Sequence, residues 1–316
     1  MVSVTPGPDA VTRRSRRRRR APGTASLLEA LLWLAPALVL ILGVVVYPAI
    51  TLVATSFNKY SIIGLRLGPA GFTNYVNFLT SPDLIQVVWN TVVWVALVVI
   101  LTILISLALA QFLSKEFWGR RVVRWAVIVP WASALVISSQ LFRLMFDYYH
   151  GIINQALITI GVIHKPIDWL GDSHYTMPSM IAVGVFVSIP FTAYLFVAGL
   201  NAIPTDVYEA ARIDGSSAWQ TYRQITLPLL RPAILIGVVL NMIYVFNSFP
   251  INWILNGSNP GFGNDTLITY MYKLAFKSAQ HDVGESAAAG IFNVFIILIA
   301  VGIYLRFVNW REAEKK

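Results

Sequence analysis

Apolar positions along this chain gather into six long runs, residues 31–57, 87–113, 122–146, 177–200, 232–255 and 286–308, with polar or turn-rich segments between them. About 20 mostly apolar residues suffice to cross the hydrocarbon of a bilayer as a helix. In lipid each run is predicted to be helical, because an isolated strand or coil would leave backbone N–H and C=O groups unpaired. The first and third runs are long enough to tilt or to end inside a headgroup layer. The expected fold class is therefore all-α: a polytopic membrane protein with six transmembrane helices.

Charge adds an orientation to this pattern. Of the 24 Lys and Arg residues, eighteen fall in alternate segments: the tail at Arg13–Arg20, residues 115–124, 201–231 and 306–316. Only Lys59, Arg66, Lys165, Lys273 and Lys277 fall in the other connections, and Arg143 lies near a helix end. Positive residues favour the cytoplasmic side, which predicts a multi-pass protein of the cytoplasmic (inner) membrane with both termini inside. The net charge of +9 is concentrated in the N-terminal tail, so it points to anionic lipid headgroups and not to nucleic acid. Residues 1–29 are expected to be a basic, disordered tail, 30–310 the membrane domain, and 311–316 a C-terminal tail. Arg13-Arg14 could open an export signal, but no convincing small-residue cleavage site follows, so the first helix is expected to stay uncleaved.

Composition excludes several kinds of chemistry. With 57% hydrophobic and 12% charged residues, and a mean hydropathy of +0.66, water is not the main solvent. The chain has no cysteine, and its four histidines show no metal-ligand spacing, so no metal site is expected. No GxxxxGK[ST] phosphate cradle occurs, so no nucleotide site is expected either. A non-catalytic chain is the reading that remains.

The external connections are long. Residues 58–86 carry Gly64, Gly68, Pro69, Gly71 and Pro82, and 147–176 holds an amphipathic stretch, 152–163, before a turn-rich 168–172. Loops of this length cover something, either the chain's own helices or another protein. No internal repeat supports an inverted-repeat transporter.

Between the fourth and fifth runs lies a cytoplasmic segment of about thirty residues, 201–232. It reads as two short helices around a glycine break, with Thr205 capping the first and Asp206 and Glu209 near its positive end. Ser216 or Ser217 caps the second, and Pro228 and Pro232 end it and begin the fifth run. A rigid helix with a fixed acid and two alanines suits insertion into a groove on another protein. Arg212 and Arg223 keep open the alternative of a helix lying on headgroups.

Glu209-Ala210-Ala211, three residues, Gly215, nine residues and Ile225-Thr226-Leu227-Pro228 resemble, position for position, the EAA signature of permease subunits of binding-protein-dependent ABC importers. Phe72-Thr73-Asn74-Tyr75, Asn90-Thr91, residues 256–260 and 266–276 extend the resemblance to the carbohydrate-uptake branch, which includes the maltose-importer permeases. It covers roughly residues 33–310. The resemblance implies that Tyr208, Glu209, Ala210, Ala211, Asp214 and Gly215 engage a cytoplasmic ABC ATPase dimer, which would hold ATP and Mg while this chain binds no cofactor. It also implies a second homologous permease and an extracytoplasmic solute-binding protein. The sequence departs from the family at Pro250, where an acidic residue is frequent, and at Ser258-Asn259-Pro260, where Gly-Gly-Pro is usual.

The apolar runs contain neutral polar groups and almost no charge, which disfavours an ion relay built on carboxylates. Asn241, Tyr244, Ser248 and Asn252 recur at helical spacing in the fifth run, and Ser188 and Phe191 flank Pro190 in the fourth. Neutral hydrogen-bonding groups beside aromatic faces suit a sugar. By the maltose-permease resemblance, Ser188, Phe191, Asn241 and Ser248, with Tyr244, are the candidate substrate-binding residues; Val245 replaces a polar residue of the family. The competing role for the Ser and Asn residues is hydrogen bonding between helices, at about 0.6 kcal/mol each. Tyr194 and Asn293 are further polar candidates, and Arg143 is expected to snorkel or to pair with Asp147. The expected function is import of a sugar or polyol by alternating access. A permease for another solute and a stand-alone secondary transporter are the alternatives.

Overall fold

A computed structural model describes residues 27–257, 261–277 and 282–313. The chain divides into two compact units, Met1–Ile50 and Thr51–Lys316. In the first, α1 (Leu27–Leu40) leads through a π-helical turn (Ile41–Val46) into α2 (Tyr47–Ser56). The expected basic tail lies outside the described residues, except for the helical residues from Leu27.

The second unit begins within α2. A small hairpin follows, β1 (Asn58–Tyr60) paired antiparallel with β2 (Arg66–Pro69), and it is the one departure from the all-α expectation among the described residues. Its turn is set by Gly64 at φ +78° and by the Ser61 hydroxyl, which accepts the Leu65 N–H at 3.0 Å. Then come α3 (Thr73–Leu79) and the long α4 (Leu84–Ser114). After α5 (Arg120–Trp131), α6 (Leu135–Met145) and the short α7 (Ile152–Thr159) comes the second long helix, α8 (Ser173–Asn201). At 29 and 31 residues, α8 and α4 extend ~43 and ~46 Å, more than the hydrocarbon thickness.

These two helices form the centre of the unit. Gly184 of α8 lies against Trp94 of α4 so closely that a Cβ there would fall 2.6 Å from the indole Cη2. Trp94, Val98, Met180 and Val183 are nearly or fully buried around this contact. Neither helix contains Asp, Glu, Lys or Arg.

The loop 201–232 forms α9 (Thr205–Ile213), α10 (Ala218–Thr221), a π-helical turn (Tyr222–Thr226) and α11 (Leu227–Leu229). Next are α12 (Arg231–Phe246), α13 (Phe249–Asn256), α14 (Leu267–Phe276) and α15 (Val283–Ala313). Helix α15 runs into the expected C-terminal tail at least as far as Ala313.

Four helical stretches among the described residues, 31–56, 84–114, 173–201 and 283–308, are long and apolar enough to cross a membrane, and α10–α11 with α12 form a fifth candidate bent by 64°. The expected third and fifth runs are not single helices. The third breaks at residues 132–134, where Ala134 is extended at φ −62° and ψ 140°. The fifth breaks at Asn247-Ser248, where Ser248 has φ −77° and ψ 64° and the Phe249 N–H reaches the Asn247 carbonyl at 2.8 Å, an inverse γ-turn. Pro250 then occupies the first turn of α13, where a missing N–H costs no hydrogen bond.

The loops expected on the external side fold back on the chain's own helices. Asn154, 1% exposed, is the hub of residues 147–172. Its Nδ2 donates toward the carbonyls of Asp147, Tyr148 and Ile167, and its Oδ1 accepts the Ile167 N–H at 3.1 Å and the Trp169 indole N–H at 2.9 Å. The expected Arg143–Asp147 pair is absent among the described residues. Asp147 instead accepts the backbone N–H groups of Tyr149 and His150 at 3.0 and 2.8 Å. The His150 N–H is the main reason its carboxyl lies below the ordinary value.

The loop after α13 is tied to α4 by the consecutive residues Asn90 and Thr91. Asn90 Nδ2 donates to the Gly263 and Asp265 carbonyls at 2.8 and 3.1 Å, and the Thr91 hydroxyl accepts the Leu267 N–H at 2.8 Å. Inside the loop, Asp265 is 1% exposed and receives Lys273 Nζ at 2.7 Å, Asn256 Nδ2 at 2.8 Å and the Thr269 hydroxyl at 3.2 Å. Burial pushes the Asp265 carboxyl above the ordinary value, and Lys273 offsets part of that rise.

Candidate functional site

The five candidate substrate residues do not all meet. Ser188 and Phe191 stand three apart on α8, and Asn241 and Tyr244 stand three apart on α12, so each pair shares one helix face. With the two helices packed together, these four line a concavity of about 390 Å³. That is within the range of small-molecule sites. Trp131, at the end of α5, closes the concavity by stacking on Phe191 with centroids 6.3 Å apart and planes 22° from parallel.

Ser248 is not part of this wall. It lies at the break after α12, 3% exposed, and its hydroxyl has no hydrogen-bond partner among the described residues. A continuous helix through residue 248 would have put it two turns above Asn241, and the γ-turn removes that relationship. Asn252 is taken by the outer loop, donating to the Thr266 hydroxyl at 3.1 Å. Tyr194 donates to the Arg124 carbonyl at 3.1 Å, tying α8 to α5, and the Asn293 amide lies 3.9 Å from Met271 Sδ.

Asn241 makes the interhelical bond and also lines the concavity. Its Nδ2 donates to the Thr192 hydroxyl at 2.9 Å and to the Gly237 carbonyl at 2.8 Å, which fixes the amide orientation and links α12 to α8. Those bonds use both amide protons, while its Oδ1 accepts no hydrogen bond from the described residues. The lining side chains Phe191, Tyr244 and Trp131 are 42–49% exposed, so one flank of the concavity is left uncovered by the described residues. Trp131 and Thr192 were not legible as site residues. Trp131 ends what reads as an unbroken apolar run, and Thr192 looks like one more hydroxyl in a helix.

The second candidate region is the loop around Gly215. Thr205, expected as a cap, is the first residue of α9, and Pro204 precedes it without a side-chain cap. Ser217 does cap α10: its hydroxyl accepts the Gln220 N–H while the Gln220 side chain accepts the Ser217 N–H. Helix α9 ends in a Schellman motif, with Ser216 N–H on the Ala211 carbonyl, Gly215 N–H on the Arg212 carbonyl, and Gly215 at φ +72°.

The signature residues divide by face. Ala211 is buried and Tyr208 half-buried, with the Tyr208 hydroxyl accepting from Thr226 at 3.4 Å. Glu209, Ala210, Asp214 and Gly215 are exposed. Beside them stand two large apolar side chains that sequence reading passed over, Ile213 at 86% and Trp219 at 67% exposure. An isoleucine beyond the acidic face of so polar a helix was the available signal.

Apolar helices, an uncharged concavity among them and an exposed amphipathic loop define the transmembrane subunit of a transport system. The chain belongs to the family of binding-protein-dependent transport system inner membrane components, matched over residues 102–312. A protein of Brucella suis biovar 1 described as a probable ABC transporter permease is 35% identical over 88% of this chain and 95% of that relative. The trehalose/maltose transport system permease protein MalF of Thermococcus litoralis is 33% identical over 77% of this chain and 80% of its own. In fold the chain is similar to a chain of a bacterial alginate ABC transporter crystallised with an alginate pentasaccharide-bound periplasmic protein. The TM-score is 0.74 at 24% identity, covering 88% of this chain and 92% of the other.

Proposed function

We propose that this chain is one permease subunit of an ATP-driven importer of a sugar or polyol, and that it completes the path with a second homologous permease. The observation that carries the reading is the uncharged concavity between α5, α8 and α12. It sets the faces of Trp131, Phe191 and Tyr244 beside the polar groups of Ser188 and Asn241 and is open on one flank. Aromatic faces pack on the C–H surfaces of a sugar, and hydroxyl and amide groups meet its hydroxyls. The trehalose/maltose relative supports the same substrate class.

In this reading, an extracytoplasmic binding protein delivers the solute and the loop 201–232 lies in the cytoplasm, with Glu209 and its exposed neighbours against an ABC ATPase dimer. ATP and Mg belong to that partner. Closure of the ATPase moves α9, and the Tyr208–Thr226 contact passes the movement through the bent segment into α12. The test is uptake into proteoliposomes holding this chain with a second permease, an ATPase and a binding protein from the same organism, using a panel of labelled disaccharides and polyols. ATP-dependent uptake that needs every component supports the reading. Uptake by this chain alone, driven by an ion gradient, overturns it.

A further inference from the structure

A second cavity, of about 680 Å³, lies between the end of α4 and the loop 201–232 and is separate from the concavity among the helices. Lys115 follows the last turn of α4, and Arg212 stands on α9. Both line the cavity, and neither makes an ion pair among the described residues. The rest of the wall mixes neutral hydrogen-bonding groups, among them Gln111, Ser114, Asn201 and Tyr222, with the apolar Leu200, Ile203 and Ala218, and holds no carboxylate. The acids of this region, Glu116, Asp206, Glu209 and Asp214, are exposed and lie outside the wall. A pocket with two uncompensated cations, several neutral donors and no acid is electrostatically set for an anion. Its volume exceeds what a bare inorganic ion needs, so the anion has room for a polar substituent.

We propose that this cavity binds a phosphate group carried on a polar body, held by Lys115 as a compact charge and by the Arg212 guanidinium as a two-pronged donor. The phosphate can come from an anionic phospholipid headgroup at the membrane surface or from a soluble phosphorylated metabolite. Because Tyr208 and Thr226 line the same space, an occupant would bear on the contact that joins α9 to the bent segment. The site thereby regulates coupling. That consequence rests on the permease reading, whereas the binding itself does not.

The test measures binding without transport, so its failure is distinct from failure of the importer reading. The protein is purified with its partners in mild detergent. Phosphatidylglycerol and phosphatidylcholine are compared by native mass spectrometry, and glucose 6-phosphate is titrated by calorimetry. One phosphate-bearing anion should bind the wild type, and Lys115→Gln with Arg212→Gln should weaken it about ten- to a hundredfold, while Lys115→Arg retains it. Selective retention of phosphatidylglycerol assigns the lipid source, and binding of glucose 6-phosphate assigns the soluble one. Equal binding of either anion to the wild type and the doubly substituted protein overturns the proposal, as does binding of neither probe to the wild type.

Discussion

The indole N–H of Trp94 donates to the carbonyl oxygen of Val245 at 2.9 Å, linking the centre of α4 to the last turn of α12, where the fifth run breaks. The Ser248 N–H reaches the same carbonyl at 3.1 Å. The break is therefore held from outside its own helix. Trp94→Phe should lower stability by about 1 kcal/mol through the lost donor, and Gly184→Val should do more harm because a side chain there meets the indole. Thermal unfolding in detergent would check both, and a Trp94→Phe protein of wild-type stability would show that the bond contributes nothing.

Glu209 is exposed and outside the apolar runs, so Glu209→Lys should leave folding and insertion intact. In the assembled importer it should abolish transport by reversing the charge offered to the ATPase. Ile213→Ser, which removes an exposed apolar side chain, should weaken ATPase association without affecting the monomer. Co-purification of the ATPase and an uptake assay check the pair, and normal coupling in both variants would rule out this docking face.

One hydrogen bond joins Asn241 to Thr192, and a double-mutant cycle isolates it. Asn241→Leu and Thr192→Val should each cost about 0.6 kcal/mol of helix association, and the double variant should cost less than the sum. Trp131→Ala, which leaves that bond alone, should instead depress uptake or shift its apparent affinity while assembly holds. Measuring assembly and uptake in the same proteoliposomes separates packing from binding. An Asn241→Leu protein normal in both would remove that residue from the site.

Lys273 is 12% exposed and its partner Asp265 is 1% exposed, so removing one partner strands a buried charge. Lys273→Met should destabilise by about 3–5 kcal/mol, and adding Asp265→Asn should recover much of that loss. Since folding raises the Asp265 pKa, the folded protein binds that proton more tightly than the unfolded chain. This carboxyl therefore withdraws stability as pH rises from the ordinary carboxylate value through the raised one, and acidification through that window restores it. Denaturant titrations of the wild type and Asp265→Asn across the window check the sign. A larger acid-induced loss in the wild type would contradict it.

Ser114 ends α4 and lines the same cavity as Ser216, so those segments share one end of the molecule, while Ser173 begins α8 at the opposite end from Asn201. Single cysteines at Ser114 and Ser217 should react with an impermeant thiol reagent only from the cytoplasm, and one at Ser173 only from outside. Mixed labelling would undo the orientation given by the positive charges.

The second, fourth and sixth runs were readable because each is apolar over the full bilayer thickness and continues as one helix. Breaks in the third and fifth were not, since Ala132-Ser133-Ala134 and Asn247-Ser248 are compatible with a helix and yield only in tertiary context. Pro250 did mark the start of α13, yet a proline in an apolar run also reads as a kink. Ser188, Phe191, Asn241 and Tyr244 were named from helical spacing and the family resemblance. They line one concavity because three-residue spacing keeps each pair on one face of its helix, whereas Ser248 falls outside it because its relation to Asn241 assumed a straight helix. Asn90-Thr91 stood out as a motif, but that it holds the outer loop became visible only when residues 263–267 were placed against it.

Asn154 closes the loop 147–172 by joining the backbone near its start, at Asp147 and Tyr148, to the Ile167 backbone and the Trp169 indole near its end. The chain between Gln155 and Pro166 thus leaves and returns to a single fixed point. Its length can change with little effect on where α6 ends or α8 begins. For a subunit that must keep its helices in register, this segment is where divergence costs least, and where an affinity tag or an added domain can be spliced in with the membrane core undisturbed.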